Sequence, residues 1–307
     1  MNAKAKIAVV GAGGVGGYFG GLLAKAGLDV FFLARGEHLK AIKKNGLKVE
    51  SYRGDFDVKV KAGNDPAMIG LCDIVLFCVK SFDTESMAER IKPLVGQSTV
   101  IISFQNGVEN EEIIGNVLGS EKVMGGVAFI GSRIKAPGVI LHTAAGSMTF
   151  GELEGGTSER GRGLLKLFEN AGIEAILSEN IKKAMWQKMV WNCGFNAITA
   201  LSGSSVSQLL SVAEARQVVK DAMDEVLSVA KGLGVALRED LPGKTITHTE
   251  KQGEIRTSML VDLENGRKVE IEALNGAVSR LGKKLGMPTP VNDTLYAALK
   301  AINKMRE

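Results

Sequence analysis

The chain has 307 residues, of which 45% are hydrophobic and 23% are charged, and its formal net charge is +4. This length allows two domains with separate cores, and the hydrophobic fraction excludes a disordered chain. The charge is small and the basic residues are spread along the sequence. We therefore expect small anionic ligands as partners and no nucleic acid.

The sequence also argues against a membrane span and against a metal site. No run approaches the roughly 20 apolar residues that cross a bilayer, and the first residues lack the apolar core of a signal peptide. We therefore predict no membrane partner and a cytoplasmic location. Cys72, Cys78 and Cys193 are odd in number and lack metal-binding spacing. We expect reduced thiols in the core, with neither a disulfide nor a metal ion.

A short apolar strand at residues 7–10 leads directly into glycines with GxGxxG spacing. In such a loop the first glycine allows a tight turn, the second lets a pyrophosphate approach, and the third lets the following helix pack on the strand. The helix N-terminus then faces the anion. An ordinary glycine-rich turn is the alternative, but a second strand at 29–34 favours a dinucleotide site formed by Gly11, Ala12, Gly13, Gly14, Val15 and Gly16.

The end of the second strand selects the type of dinucleotide. A site for NAD should carry Asp or Glu there, about 20 residues past the glycines, to accept hydrogen bonds from the ribose. This chain has Arg35 instead, and a planar guanidinium suits a ribose phosphate. The sequence therefore predicts NADP(H), with a solvated Arg35 near Glu37 as the alternative.

Two further buried strands are predicted at 73–79 and 99–104, where the apolar runs are nearly unbroken. They deliver Lys80 and Asn106 at their carboxyl ends. Ligands of open parallel sheets bind beyond these ends, so we expect Gly11, Arg35, Lys80 and Asn106 to cluster there.

Short strands at 123–130, 139–143, 148–151 and 173–177, with a helix at 158–171, complete the first predicted domain, residues 1–178. We expect a structural, hydrogen-bonded role for His142 and a surface position for His38. The predicted class is α/β, with a Rossmann-type dinucleotide-binding domain followed by an all-helical domain.

Residues 179–307 form the second predicted domain, because their apolar residues recur with helical spacing. The helices are expected at 182–201, 212–231, 253–264, 269–285 and 291–306. A helical domain beside a dinucleotide domain typically closes a cleft over the cofactor, so catalytic side chains are expected on its facing helix.

The first of these helices carries a polar stripe formed by Lys188, Asn192 and Asn196, spaced four residues apart. Steps of four turn an α-helix only about 40° beyond a full turn, so the three side chains share one face. Polar groups on an apolar helix need partners or a polar ligand, and an ammonium can protonate a developing alkoxide. The alternative is a surface helix with a solvated stripe.

The whole chain resembles the ketopantoate reductase (2-dehydropantoate 2-reductase) family. The resemblance rests on an ordered set of motifs: Gly11-Ala-Gly-Gly-Val-Gly16, Val79-Lys80, Phe104-Gln-Asn-Gly107, Lys188-Met-Val-Trp-Asn-Cys-Gly-Phe-Asn196, Thr257-Ser-Met-Leu-Val-Asp262 and Gly266-Arg-Lys-Val-Glu-Ile271. It implies that Lys188 is the general acid and that Asn192, Asn196 and Ser258 bind substrate.

The resemblance also implies the remaining site residues. Asn106 would contact both substrate and cofactor, and Lys80 the cofactor near the reacting centre. Glu270 would contact the cofactor and support Lys188, Arg35 would read the adenosine phosphate, and the backbone near Ile130 would touch the cofactor.

The implied activity is NADPH-dependent reduction of 2-dehydropantoate to (R)-pantoate, on the route to pantothenate and coenzyme A. Two alternatives stay open from the sequence. One is a reductase for another branched 2-oxo acid or an opine-type adduct. The other is a non-catalytic NADP-binding sensor, against which the proton donor argues. The expected partner is a small 2-oxo acid, and a homodimer is possible.

Overall fold

The computed structural model describes residues 5–306 and divides the chain into two compact units. The first contains residues up to Gln105 together with Asn110–Ile181. The second contains Asn106–Glu109 and the residues from Lys182 onward. The division predicted at residue 178 stays a prediction, because compactness alone does not show that either part folds independently.

Among residues 5–306, the first unit contains one ten-stranded sheet. Its strands are β1 Lys6–Val10, β2 Asp29–Leu33, β3 Leu47–Ser51, β4 Phe56–Val58, β5 Lys61–Gly63, β6 Cys72–Phe77, β7 Val95–Ser103, β8 Val123–Ala136, β9 Val139–Glu152 and β10 Glu174–Leu177. Their order is β4-β3-β9-β8-β7-β6-β1-β2-β5, with β10 paired to β9. The stretch from β8 to β5 is parallel, so its strands bring their carboxyl ends to one edge.

The helices of this unit pack against the sheet with buried apolar side chains, which include the fully buried Phe19 and Phe168. The helices are α1 Gly14–Lys25, α2 Gly36–Asn45, α3 Thr84–Arg90, α4 Asn110–Leu118 and α5 Glu159–Asn170. Burial raises the pKa of the Cys72 and Cys78 thiols to about 11 and about 12.

The short strands predicted between residues 123 and 151 are parts of two long antiparallel strands, β8 and β9. The prediction stopped early because glycines, polar residues and Ala145 interrupt the apolar alternation. The structure accommodates these interruptions as shifts in pairing register near Ile130, Ser132 and Ala136. Ala145 adopts a φ of 56°, a conformation that side chains rarely take.

The second unit is helical, which together with the α/β first unit confirms the predicted fold class. Its helices are α6 Ile181–Ser202, α7 Val206–Leu210, α8 Ala213–Gly232, α9 Leu241–Glu250, α10 Ser258–Glu264, α11 Asn275–Leu285 and α12 Pro290–Lys304. No helix in the described part of the chain is long and apolar enough to cross a membrane.

Several predicted helix boundaries were wrong, and α7 and α9 were missed. The helix expected from residue 253 begins at Ser258, because the Thr257 hydroxyl caps it by accepting from the Leu260 amide. The helix expected from 269 begins at Asn275. The preceding segment is held outside a helix by the Asn303 carboxamide, which bonds both the amide and the carbonyl of Val269.

Candidate active site

The glycine loop after β1 has the backbone geometry of a dinucleotide loop. Gly11 has a φ of +101°, and a Cβ there would lie 2.8 Å from the Val79 nitrogen. A Cβ on Gly16 would meet the Gly11 carbonyl oxygen and approach Val9 Cγ1 to 2.9 Å. Gly13 differs, because a Cβ there meets nothing within 4 Å among the described residues. Gly11 and Gly16 are thus required by packing, whereas Gly13 borders open space.

This open space fits the pyrophosphate of a dinucleotide. Helix α1 begins at Gly14 with Gly13 at its N-cap, and its first turn has no side chain larger than that of Val15. Its first backbone N–H groups therefore point outward at the positive end of the helix. The residues present can hold the phosphates of a dinucleotide through these amides.

Ser132 on β8 is a polar residue beside this loop that the sequence analysis missed. A Cβ on Gly14 would lie 2.6 Å from the Ser132 carbonyl carbon, so β8 runs directly against the start of α1. The Ser132 hydroxyl is buried and makes no hydrogen bond within residues 5–306. Ile130, the predicted backbone contact, is half-buried two residues earlier on the same strand. Ser132 lies at a shift in the pairing of β8 with β9, and the sequence alone does not reveal this shift.

Arg35 and the Lys80 segment meet at the same edge. Arg35 is the N-cap residue of α2, its side chain is 85% exposed, and its Nη2 lies 3.4 Å from Asp83 Oδ2. Asp83 follows Lys80 by three residues, and the Gly11 turn abuts Val79. The structure therefore brings three of the four predicted edge residues together. The expectation for Asn106 stays a prediction, because Asn106 falls in the other compact unit.

Gln105 fixes the segment that carries Lys80. Its Nε2 donates to the Val79 carbonyl at 3.0 Å and to Thr84 Oγ1 at 2.8 Å. Thr84 Oγ1 in turn donates to the Ser81 carbonyl at 2.8 Å. One buried carboxamide thus spans the turn from β6 into α3. Its role depends on contacts with residues 20 or more positions away, which a sequence pattern does not reveal.

The two histidines of this unit have structural partners. His142 is buried, with Ser51 Oγ 2.8 Å from its Nδ1 and the Ala144 carbonyl 3.1 Å from its Nε2. This agrees with the hydrogen-bonded role predicted for it. The surface position predicted for His38 was wrong. Its half-buried ring accepts a hydrogen bond from the Gly138 amide at 3.0 Å, and burial lowers its pKa.

In the second unit, the polar stripe of α6 faces the protein. Asn192 is 4% exposed and Asn196 is 1% exposed, while Lys188 is half-buried. Asn196 Nδ2 donates to Asn192 Oδ1 at 3.4 Å, and Asn196 Oδ1 makes no hydrogen bond within the described part of the chain. The alternative of a solvated stripe is therefore wrong. A buried acceptor without a protein partner is suited to a polar ligand.

Lys188 has the electrostatic setting of a proton donor. Burial of its ammonium lowers the pKa to about 8, although part of the side chain stays exposed. The nearby Glu270 carboxylate acts in the opposite direction and favours the charged ammonium. Glu270 is itself buried. The two predicted catalytic residues therefore interact within one unit, and a lysine with a pKa of this kind is suited to proton transfer.

Ser258 lies at the N-terminus of α10, which is linked to α6 by a buried hydrogen bond. The hydroxyls of Thr199 and Thr257 are 2.8 Å apart, and Thr257 caps α10. This bond fixes the start of α10 against the turn of α6 that follows Asn196. Ser258 is exposed, so its hydroxyl can reach a ligand.

Two family models cover most of the chain. The model described as Ketopantoate reductase PanE/ApbA matches residues 7–155, and the model described as Ketopantoate reductase PanE/ApbA C terminal matches residues 180–303. Their order and extent agree with an α/β first region and a helical second region.

Individual relatives give the same result. A 2-dehydropantoate 2-reductase of Nostoc sp. is 32% identical, with 99% of this chain and 96% of that protein covered. The crystal structure of 2-dehydropantoate 2-reductase from Geobacter metallireducens is 36% identical with a TM-score of 0.92, covering 97% of this chain and 99% of that one. D-mandelate dehydrogenase with NADH and anilino(oxo)acetate is 26% identical with a TM-score of 0.90, covering 98% and 99%. The chain belongs to the ketopantoate reductase family and is an oxidoreductase.

Proposed function

We propose that this protein reduces 2-dehydropantoate to (R)-pantoate with NADPH and that Lys188 is the general acid. The observation that carries the proposal is the buried ammonium of Lys188, whose pKa is lowered to about 8 beside the Glu270 carboxylate. An acid that titrates near the working pH is both protonated and able to release its proton. The name of the Nostoc relative supplies the substrate.

The proposed cofactor site is formed mainly by the first unit, and Asn106 and Glu270 of the second unit would add contacts. The family uses NADPH, and the amides at the start of α1 would hold the pyrophosphate. Exposed Arg35 would pair with the ribose phosphate in place of Asp83. The further proposed cofactor contacts are Lys80, Ile130, Asn106 and Glu270. When bound, the reduced nicotinamide supplies a hydride to the ketone carbon of the substrate.

The proposed substrate site is formed by the second unit. Asn192 and Asn196 would bind the polar groups of the 2-oxo acid, since the side-chain oxygen Oδ1 of Asn196 makes no hydrogen bond within the described part of the chain. Ser258 and Asn106 would add hydrogen bonds. Lys188 would donate its proton to the ketone oxygen as the alkoxide develops, and Glu270 would keep the ammonium charged until then.

A different acceptor is the serious alternative. D-mandelate dehydrogenase has the same fold over nearly the full length and binds NADH with an aryl 2-oxo acid analogue. The fold therefore accommodates both a different side chain on the acceptor and a cofactor without the ribose phosphate.

Steady-state oxidation of NADPH with a panel of acceptors tests the proposal. The panel is ketopantoate, 2-oxoisovalerate, pyruvate and phenylglyoxylate, each repeated with NADH. We expect the highest kcat/KM for NADPH with ketopantoate. A higher kcat/KM for another 2-oxo acid would assign that acid as the substrate. Tight NADPH binding without any turnover would favour the non-catalytic sensor.

The proposal assigns this step to the route toward pantothenate and coenzyme A, in the cytoplasm. A homodimer stays a prediction, which sedimentation of the purified protein would test.

A further inference from the structure

Arg280 on α11 holds two chain segments with its guanidinium. Its Nη2 donates to Glu109 Oε2 at 2.7 Å and to the Glu272 carbonyl oxygen at 2.9 Å. Its Nη1 donates to Glu272 Oε2 at 3.1 Å. All three groups belong to the second unit. The planar fork of arginine holds its donors in a fixed geometry toward these acceptors, whereas the three donors of a lysine ammonium rotate freely.

The two segments are those that carry Asn106 and Glu270. Glu109 lies three residues after Asn106, in a four-residue stretch whose Val108 packs on the helical core. Glu272 lies two residues after Glu270. Arg280 therefore connects a proposed substrate contact with the proposed partner of the general acid.

Glu272 is a fixed anchor for this connection. Tyr296 Oη donates to Glu272 Oε2 at 2.8 Å, and Lys300 Nζ lies 3.1 Å from Glu272 Oε1. The carboxylate is thus tied to α12 as well as to α11. Arg280 links Glu272 to the segment that carries Asn106 through its bond to Glu109.

An ion pair of similar side-chain exposure, but with a single carboxylate partner, lies elsewhere on the same unit. Arg216 on α8 donates from Nη1 and Nη2 to the two carboxylate oxygens of Glu250 on α9. The exposures are similar, at 47% and 31% for the Arg280–Glu109 pair and 40% and 37% for the Arg216–Glu250 pair. Exposed pairs of this kind contribute little to stability. A difference in rate between variants of the two arginines, at equal thermal midpoints, would therefore report on position rather than on folding.

We propose that Arg280 is a positioning residue for the reduction, which sets the placement of Asn106 relative to Glu270 through Glu109 and Glu272. This inference rests on the proposed function. The expected effect of losing Arg280 is on the placement of the acceptor. A shift of about 1 Å at a positioning contact can lower turnover substantially without unfolding the protein.

A double-mutant cycle with Arg280→Gln, Glu109→Gln and the double variant tests it, with Arg216→Gln as the control. We expect Arg280→Gln to lower kcat/KM for ketopantoate about tenfold. Glu109→Gln should lower it less, because the bonds to Glu272 remain. The double variant should be no worse than Arg280→Gln alone, since both residues act through one connection. Arg280→Lys should keep the thermal midpoint but recover only part of the rate.

Hydrogen exchange of the full-length protein supplies a readout that needs no turnover. We expect faster amide exchange across 106–109 in Arg280→Gln than in Arg216→Gln. If wild-type protein does not reduce ketopantoate, the proposed function fails, and the exchange data still decide whether Arg280 orders this segment. Wild-type rates with unchanged exchange in Arg280→Gln, or additive losses in the double variant, would overturn the inference.

Discussion

The glycine loop and the α6 stripe are built in opposite ways. The loop offers bare backbone to a ligand, and Gly13 leaves open space by lacking a side chain. The stripe presents buried polar side chains, and their setting depends on distant segments through the Thr199–Thr257 hydrogen bond and the electrostatic effect of Glu270 on Lys188. One region is local in sequence, whereas the other is assembled from several parts of the chain.

The difference explains where each region is vulnerable. A backbone cradle tolerates changes around it but not an added side chain, because the ligand occupies the space that a Cβ would take. A side-chain site depends on charge and burial, so it responds to pH and to the loss of single groups. The two regions should therefore fail in distinguishable ways.

The largest expected effect is on the stripe, from removal of the proton donor. Lys188→Ala should lower kcat by roughly 10² to 10⁴ while NADPH binding persists, because general acid catalysis contributes about that much. Stopped-flow turnover and a fluorescence titration with NADPH measure the two quantities. Lys182→Ala, at an exposed position near the start of α6, is the control. An unchanged rate in Lys188→Ala would remove the lysine from the mechanism.

Two glycine substitutions separate binding from folding in the loop. Gly13→Ala adds a methyl group to open space, so it should leave the thermal midpoint unchanged and weaken NADPH binding by more than about tenfold, or roughly 1.4 kcal/mol. Gly16→Ala drives a methyl group into the Gly11 carbonyl and Val9, which should cost about 1 to 3 kcal/mol of folding free energy. Calorimetry with and without NADPH distinguishes them. Equal NADPH affinity in Gly13→Ala and wild type would show that the cofactor phosphates do not bind in this space.

Substitution of Arg35 tests whether one exposed charge gives the glycine-loop site its preference for NADPH over NADH. Arg35→Gln should reduce the preference for NADPH over NADH by about tenfold, because a charge-assisted bond to the ribose phosphate is lost. Binding of NADH should change little. The ratio of kcat/KM for the two cofactors measures this effect. A parallel loss with both cofactors would mean that Arg35 serves folding or the adenine instead.

The smallest expected effect is a displacement of a pH profile. Glu270 raises the pKa of Lys188, so removing its charge in Glu270→Gln should lower that pKa further. The loss of kcat/KM at alkaline pH should then begin at a lower pH, by about one unit. Glu264→Gln, at an exposed glutamate on α10, should leave the profile in place. A shift toward higher pH would contradict the assigned electrostatics.

The local features were predictable from the sequence, and the long-range ones were not. The strand, turn and helix around Gly11 follow from adjacent residues, and the four-residue spacing placed Lys188, Asn192 and Asn196 on one face. The start of α11 at Asn275 depends on Asn303, nearly 30 residues away. The anchoring roles of Gln105 and Arg280 likewise arise from tertiary contacts, which no periodicity reports. Ser132 was missed because β8 continues through polar residues only by pairing with β9.

The most direct test of the central claim is the pH dependence of kcat/KM for ketopantoate with NADPH, measured for the wild type and for Lys188→Ala. Burial places the pKa of Lys188 at about 8, and only the protonated amine can donate. We therefore predict a wild-type profile that falls as pH rises through about 8, and a low Lys188→Ala profile that lacks this fall. The same alkaline fall in both proteins would contradict Lys188 as the proton donor.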